Sequence, residues 1–364
     1  MAWRLINACF RMEIIDLVCL HLCPSISDGD WVAMNSLAHL VETPSLSWLE
    51  QIAVPIARRE KILHEFSKID QEAVQARLSK EHIQVVRLQD VTFPHLLREA
   101  VSPPPLLYVR GNMGAATRGG IAIVGSRRAT SYGIWATKHI ARPLAEARIP
   151  IISGMAFGID AAAHQTAITH GGPTVAVFGC GIDVMYPREH ELLADHILDS
   201  GGCLISESPL GAQPERWRFP RRNRIIAGLA HGVVLVEAAE RSGALVTAKF
   251  AVEANRDVYV VPGPINAPLS VGPNSWLKLG ATPLLSADQI LQQYGAGNAN
   301  KKVFSPQNLT EEKIVRALVD GPLHIDDISE SCTLDASVAA ATLSRLEIQG
   351  TVVQVGPLTY SLSP

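Results

Sequence analysis

The stretch Ile121-Ala-Ile-Val-Gly-Ser-Arg-Arg128 decides how this chain folds. Four apolar residues run without interruption into Gly125-Ser126, and an amphipathic segment, Tyr132–Ala147, begins a few residues later. A short run with no polar member predicts a strand covered on both faces, here feeding a helix through a tight turn. The same unit recurs outward along the chain. Further strands are expected at Pro150–Ile152, Thr174–Phe178, Cys203–Ser206, Gly232–Val236 and Val258–Val261, with helices at Ile159–Thr169, Glu189–Ser200, Arg222–Leu229 and Ala244–Asn255. Pro150 can only open its strand, where a missing N–H is tolerated. This alternation predicts an α/β fold with a doubly wound parallel sheet covered on both faces. Glycine and proline gather at the strand ends, where such a sheet places its ligand.

Outside this core, over residues 106–297, the pattern changes. Residues 29–85 carry Trp31, Val32, Met34, Leu37 and Leu40, then Trp48, Leu49, Ile52 and Ile56, at helical spacing. A small helical domain is expected there, followed by a stiff connector at Pro103-Pro104-Pro105. Gly295-Ala-Gly-Asn-Ala-Asn300 reads as a flexible linker. Residues 306–364 then read as three helices and two short strands around Gly356-Pro357, the order of a winged helix-turn-helix. Near the N-terminus, Ile14–Leu22 is apolar but short and broken by Asp16. It predicts an amphipathic first helix, or a stretch upstream of a start at Met12, rather than a signal peptide or a membrane span.

Composition narrows the function. Hydrophobic residues form 47% of the 364, enough for a substantial core. A net charge of −3 excludes a uniformly basic nucleic-acid binder, so any phosphate contact must be local. The six cysteines show no C-x-x-C spacing, which argues against zinc and against a disulfide framework. Cys180 and Cys203 lie in apolar runs and are expected to be buried free thiols in a reducing cytoplasm. No cofactor and no metal is expected.

Five segments could carry chemistry. In the first, Gly125-Ser126 at a strand end presents N–H groups to an anion and Arg127 adds charge, although an ordinary strand–helix turn fits as well. It lacks the further glycines of a dinucleotide fingerprint. In Ser153-Gly-Met-Ala-Phe-Gly-Ile-Asp-Ala-Ala-Ala-His164, Gly154 and Gly158 would admit a ligand, with Phe157 between them. Asp160 and His164 share a helix face, and a mutual hydrogen bond is favoured over an acid–base pair, since no nucleophile accompanies them. Gly179-Cys-Gly-Ile-Asp-Val-Met-Tyr-Pro-Arg188 offers the Tyr186 ring beside Arg188, or a plain loop with a core tyrosine.

The fourth segment is the most informative. Glu215-Arg-Trp-Arg-Phe-Pro-Arg-Arg-Asn-Arg-Ile225 interleaves Arg216, Arg218, Arg221, Arg222 and Arg224 with Trp217 and Phe219 just before a helix. Guanidinium groups neutralise phosphate, and both they and aromatic faces accept unstacked bases. The fifth, Glu237 to Ala248, puts Ser242-Gly243 at a helix start as another anion-accepting end, with Glu237 more readily an orienting group than a catalyst. The core holds 17 Lys and Arg against 14 Asp and Glu, whereas residues 306–364 hold three against eight. A DNA-reading winged helix needs basic contacts, so this one is expected to bind protein or pack on its neighbour.

At Gly125–Arg127, Ser153–Asp160, Phe219–Gly228, Val236–Ala238, Ser242-Gly243 and Val261–Gly263 the chain resembles the DNA-processing protein A (DprA, or Smf) family. Six ordered motifs span about 140 residues. The resemblance implies an extended Rossmann-like parallel sheet core with a positively charged pocket. It implies a single-stranded-DNA-binding protein, not an enzyme, that protects incoming DNA and loads the RecA recombinase in natural transformation or recombination. It also implies a homodimer formed through the core and no membrane association. A sterile-alpha-motif-like helical domain and a winged helix are common family additions. By the same resemblance Arg127 contacts DNA, Arg188 takes the place of a phosphate-contacting cation, and Arg221, Arg222 and Asn223 belong to the pocket. Gly125, Ser126, Gly154, Phe157, Gly158, Phe219, Arg224, Ser242 and Gly243 complete the expected site. Leu40–Ser45 lacks the glycine-rich hairpin often seen in the family's N-terminal domain. The competing expectation is a nucleotide phosphoribohydrolase-type enzyme on the same scaffold, with Glu237 or Asp160 catalytic. Val261-Pro-Gly-Pro264 continues without the glycine-and-glutamate loop such enzymes carry.

Overall fold

A computed structural model describes residues 13–27, 29–31, 33, 49, 54–295, 309–318, 321–348 and 351–362. Met12, Val32, Met34, Leu37, Leu40–Ser45, Trp48, Ile52 and the linker residues 296–300 lie outside them. The chain divides into two compact units, Met1–Asn298 and Ala299–Pro364.

The first unit is built on a nine-stranded sheet in the order β1-β2-β6-β5-β4-β3-β7-β8-β9. Its strands are β1 (Ile83–Arg87), β2 (Leu106–Gly111), β3 (Gly120–Val124), β4 (Ile151–Ser153), β5 (Thr174–Val177), β6 (Cys203–Ser206), β7 (Ala230–Leu235), β8 (Asp257–Val260) and β9 (Thr282–Pro283). All six expected strands form, within one or two residues of their predicted ends. From β6 to β9 every pairing is parallel. β3 shows why apolar runs were required. Ala122 and Val124 enter the core on one face, Ile121 and Ile123 the core on the other, and none is more than 3% exposed.

Two differences from the sequence expectation matter. The sheet gains an antiparallel edge, because β2 pairs antiparallel with both β1 and β6. β2 is not among the expected strands, although Leu106, Leu107, Tyr108 and Val109 are all buried. The helical segment expected at 29–85 does not separate as its own unit. Its described helices, α1 (Ile14–His21) before it, α2 (Ile56–Ser67) and α3 (Gln71–Lys80), lead directly into β1. Leu20, Trp31, Leu49, Val54 and Ile62 form one buried cluster with Leu106 of β2, so sheet and helices share a core.

Helices α4 (Ser131–Glu146), α5 (Ile159–Thr169), α6 (Glu191–Asp199), α7 (Arg218–Leu229), α8 (Gly243–Glu253) and α9 (Val271–Lys278) fill the connections. α7 begins four residues earlier than expected, so Arg218, Arg221, Arg222 and Arg224 lie inside the helix and Arg216 just before it. Pro220 permits this: in a first turn its missing N–H costs no hydrogen bond. The second unit has α10 (Leu309–Ala317), α11 (Ile325–Cys332) and α12 (Ala336–Ile348), with β10 (Leu323–His324), β11 (Val352–Gly356) and β12 (Thr359–Leu362) in the order β10-β12-β11. That is the winged helix. Cys19, Cys23, Cys180, Cys203 and Cys332 are free and buried, and burial pushes the Cys180 thiol up to about 11 and that of Cys203 to about 12. No described helix is long and apolar enough to cross a membrane.

Candidate nucleic-acid interface

Strand order reverses between β3 and β7, and the loops leaving these strands diverge to open a crevice at their carboxyl ends. A cavity of about 560 Å³ lies there. Arg127, Tyr186, Arg216, Phe219, Asn223 and Gly243 are among its lining residues. A smaller hollow beside it shares Arg127, Tyr186 and Phe219 and adds Gly154, Phe157 and Pro187.

Arg127 is exposed, and its guanidinium lies 5.4 Å from the Phe219 ring centroid. Tyr186 sits 5.4 Å from the same ring at a tilt of 42°, with 41% of its own surface exposed. The exposed Phe157 ring meets His190 edge-on at 4.6 Å. One cation and three aromatic rings therefore border a common opening. The third wall is the α8 N-terminus. Ser242 caps it by accepting the Ala244 N–H at 3.3 Å, and Asn223 Nδ2 donates to the Gly243 carbonyl at 3.1 Å. A Cβ on Gly243 would meet nothing within 4 Å, so the backbone there is open to a ligand.

Other expected site residues build the frame instead. Arg222 is only 5% exposed. Its Nη1 donates to the carbonyls of Gly154, at 2.6 Å, and Val177. Burial pushes its pKa down to about 10, against the opposing pull of Asp160. Asp160 accepts the N–H groups of Gly154 and Ala156 at 3.2 Å each. Burial pushes its carboxyl up, while Arg222 and these hydrogen bonds hold it down. The glycine of this cradle is explained by protein atoms, not by ligand approach. A Cβ on Gly154 would stand 2.6 Å from Arg222 Nη2 and 2.8 Å from Asp160 Oδ2. Gly158, at φ +75°, would press a Cβ to 2.3 Å from the Ser126 carbonyl oxygen. Gly125 similarly abuts Ile159, and Ser126 Oγ accepts the Arg128 N–H at 3.1 Å, which fixes the loop.

The mutual hydrogen bond expected of Asp160 and His164 does not form. His164 is fully buried and its Nδ1 lies 2.7 Å from Thr174 Oγ1. Burial, with the charges of His190 and Arg222, lowers its pKa to about 3. Its axial position on α5 is four residues from Asp160, but the β4–α5 turn draws the carboxylate toward its own amides.

Helical geometry divides the arginine run. Phe219, Asn223 and Ile226, at i, i+4 and i+7, face the cavity. Arg218 and Arg221, one turn apart, face the opposite side, where they line a separate cleft with Trp217. Arg218 lies over the Trp217 ring at 4.4 Å. Arg221 and Arg224 both pair with Glu207, and Arg224 also donates to the Ser102 carbonyl at 2.6 Å. Arg188 is exposed at the start of a 3₁₀ turn and lines neither hollow. Tyr186 and Arg216, by contrast, belong to the lining. Both stood in the quoted motifs, an aromatic residue at a strand end and a cation in the interleaved run. Glu237 accepts the Thr130 N–H at 2.9 Å and the Thr130 hydroxyl at 2.5 Å. It thus braces the α4 N-terminus, as an orienting residue would. In the winged helix, Arg345 of α12 lies 3.6 Å from the buried Glu311. Among the described residues no group of three or more His, Cys, Asp and Glu side chains could hold a metal ion.

Fold and site together define a class: a Rossmann-like α/β protein whose strand-end crevice combines an exposed arginine with aromatic rings, joined to a winged-helix unit. The chain belongs to the DNA recombination-mediator protein A family, known as DprA or Smf. That family's model matches residues 84–295, and the DprA winged helix domain model matches residues 305–356. Protein Smf of Synechocystis sp. is 33% identical over 341 residues, spanning 83% of this chain and 85% of the relative. The X-ray structure of DNA processing protein A from Streptococcus pneumoniae superposes with a TM-score of 0.69 at 31% identity, covering 78% of this chain and 99% of that one. A Helicobacter pylori DNA processing protein A, described for its unique single-stranded DNA binding mode, superposes at 0.53 with 26% identity, covering 60% and 99%.

Proposed function

We propose that this protein binds single-stranded DNA in the crevice at the ends of β3 and β7, without catalysing a reaction. One observation carries the reading: Arg127 stands exposed over Phe219 at the mouth of a cavity that Tyr186 also borders. A single strand offers phosphates to the cation and unstacked bases to the rings, whereas a duplex hides its base faces. The open α8 N-terminus supplies further N–H donors for phosphate. The single-stranded DNA binding of the Helicobacter pylori relative supports the assignment. We extend it to the biological role: a cytoplasmic homodimer that protects incoming DNA and loads RecA onto it in transformation or recombination, with no cofactor. Glu237 braces Thr130 and Asp160 holds Arg222, which favours structural roles for both carboxylates over phosphoribohydrolase chemistry.

The test is a salt-titrated gel shift with single-stranded and duplex DNA, run with and without RecA. Single strands should bind tighter, and log affinity should fall with log salt by about 0.7 for each phosphate neutralised. Protein added before RecA should speed RecA filament growth on the strand. Equal affinity for duplex, or an Arg127→Ala variant that binds like the parent, would overturn the DNA assignment. Unchanged filament growth would overturn the loading role alone.

A further inference from the structure

Immediately after the Arg127-Arg128 loop, α4 carries a row of rings that the crevice does not use. Tyr132, Trp135 and His139 fall at i, i+3 and i+7 and so form one stripe along the helix. The rings are ordered against each other. Tyr132 and Trp135 lie 6.1 Å apart at 27°, and Trp135 and His139 lie 5.1 Å apart at 8°. The Tyr132 hydroxyl donates to the Pro262 carbonyl at 2.8 Å, which pins the first ring. They are nonetheless open to solvent: Trp135 is 57% exposed and Tyr132 42%. A surface tryptophan more than half exposed and aligned with two further rings contributes little to the core of its own fold.

We propose that this stripe is a second stacking platform for single-stranded DNA, over which a strand held in the crevice continues. The proposal rests on the function proposed above and extends its site. Two observations select nucleic acid as the occupant. The first is charge. Arg128, Lys138 and Arg142 flank the stripe and are exposed, while the sole acidic residue of α4 is Glu146 at its far end, bonded to Arg142 at 2.8 Å. The second is continuity. Arg127 lines the crevice, Arg128 follows it, and Tyr132 opens the first turn of the helix four residues later. A strand leaving Arg127 therefore meets cations and ring faces in succession. From position 132 to 139 the helix rises about 10 Å, room for about two to three nucleotides. Stacking on such rings tolerates any base, so the platform would not select a sequence.

The experiment compares oligothymidylates of about five and about twenty nucleotides, the first able to fill only the crevice. Trp135→Ala should weaken the longer strand by at least about five-fold and leave the shorter unchanged, while Trp135→Phe keeps near-parental affinity. Lys138→Gln should reduce the salt slope of the longer strand by about 0.7 and leave that of the shorter strand alone. His139→Ala repeats the ring test at an independent position. If Trp135→Ala binds both lengths like the parent, the platform does not exist. If it does so while lowering the oligomeric state in sedimentation, the stripe is an interface between copies and the proposal falls. A parent that binds neither oligonucleotide sinks the single-strand function itself. A parent that binds the short strand through Arg127 while ignoring Trp135 sinks only the extension.

Discussion

The Gly125–Thr130 loop and helix α7 both deliver arginine to the same crevice, and they use it oppositely. In the loop, Arg127 projects from a backbone already fixed by Ser126 and Gly158, and among the described residues its guanidinium meets the Phe219 face. In α7, Arg222 turns inward to two carbonyls and to Asp160, and Arg221 and Arg224 pair with Glu207. A guanidinium is a ligand-binding group where its own fold leaves it unanswered. Where carbonyls and carboxylates already surround it, it is a strut. Density of arginine in sequence does not distinguish the two. The partners do.

That contrast can be broken most directly at Arg222. Arg222→Ala leaves Asp160 buried without its cation and should cost about 3–5 kcal/mol in chemical denaturation. A loss no larger than that of a surface substitution would erase the distinction between strut and ligand group. Gly154→Ala attacks the same strut from the other side. Its Cβ would enter the space held by Arg222 and Asp160, so a loss of about 1–3 kcal/mol is expected by the same measurement.

Acid should test the buried frame without mutation. His164 has a folded pKa of about 3, below the ordinary 6.5, with burial as the leading cause. The unfolded chain therefore takes up this proton first as pH falls. The stability it contributes is complete above about pH 6.5 and is lost progressively toward pH 3, at up to about 1.4 kcal/mol per pH unit. Denaturation midpoints followed from pH 7 to pH 5 should show that slope, and His164→Gln should flatten it. Arg127→Ala marks the other pole of the comparison. It should weaken single-strand binding about ten-fold, remove about 0.7 from the salt slope, and leave stability within about 0.5 kcal/mol of the parent. A large stability loss there would make Arg127 a second strut.

Much of this was legible in the chain. The six apolar runs became strands, and the glycine-rich ends became the crevice walls, because a doubly covered parallel strand must be apolar throughout. Leu106–Val109 is equally apolar, but no strand–helix alternation announces an antiparallel neighbour. The site was legible as a set of motifs but not as a division of labour. Arg127, Phe157, Phe219, Asn223, Ser242 and Gly243 border the hollows. Arg222 lines them from a buried position, whereas Arg188, Arg221 and Arg224 stand elsewhere. The early start of α7 was hidden by Pro220, which reads as a breaker until it is placed in a first turn.

By itself, the amino-acid order determined which segments are strands, where the turns fall and which family the motifs resemble. These depend on patterns within about ten residues, and a buried strand or a capped helix is a local solution. Only the tertiary structure decided which arginine stands open at the crevice and which one braces the fold. A turn of about 100° per residue sends neighbouring arginines of α7 to different walls. The groups that answer them, Asp160, Val177 and Glu207, come from distant points along the chain.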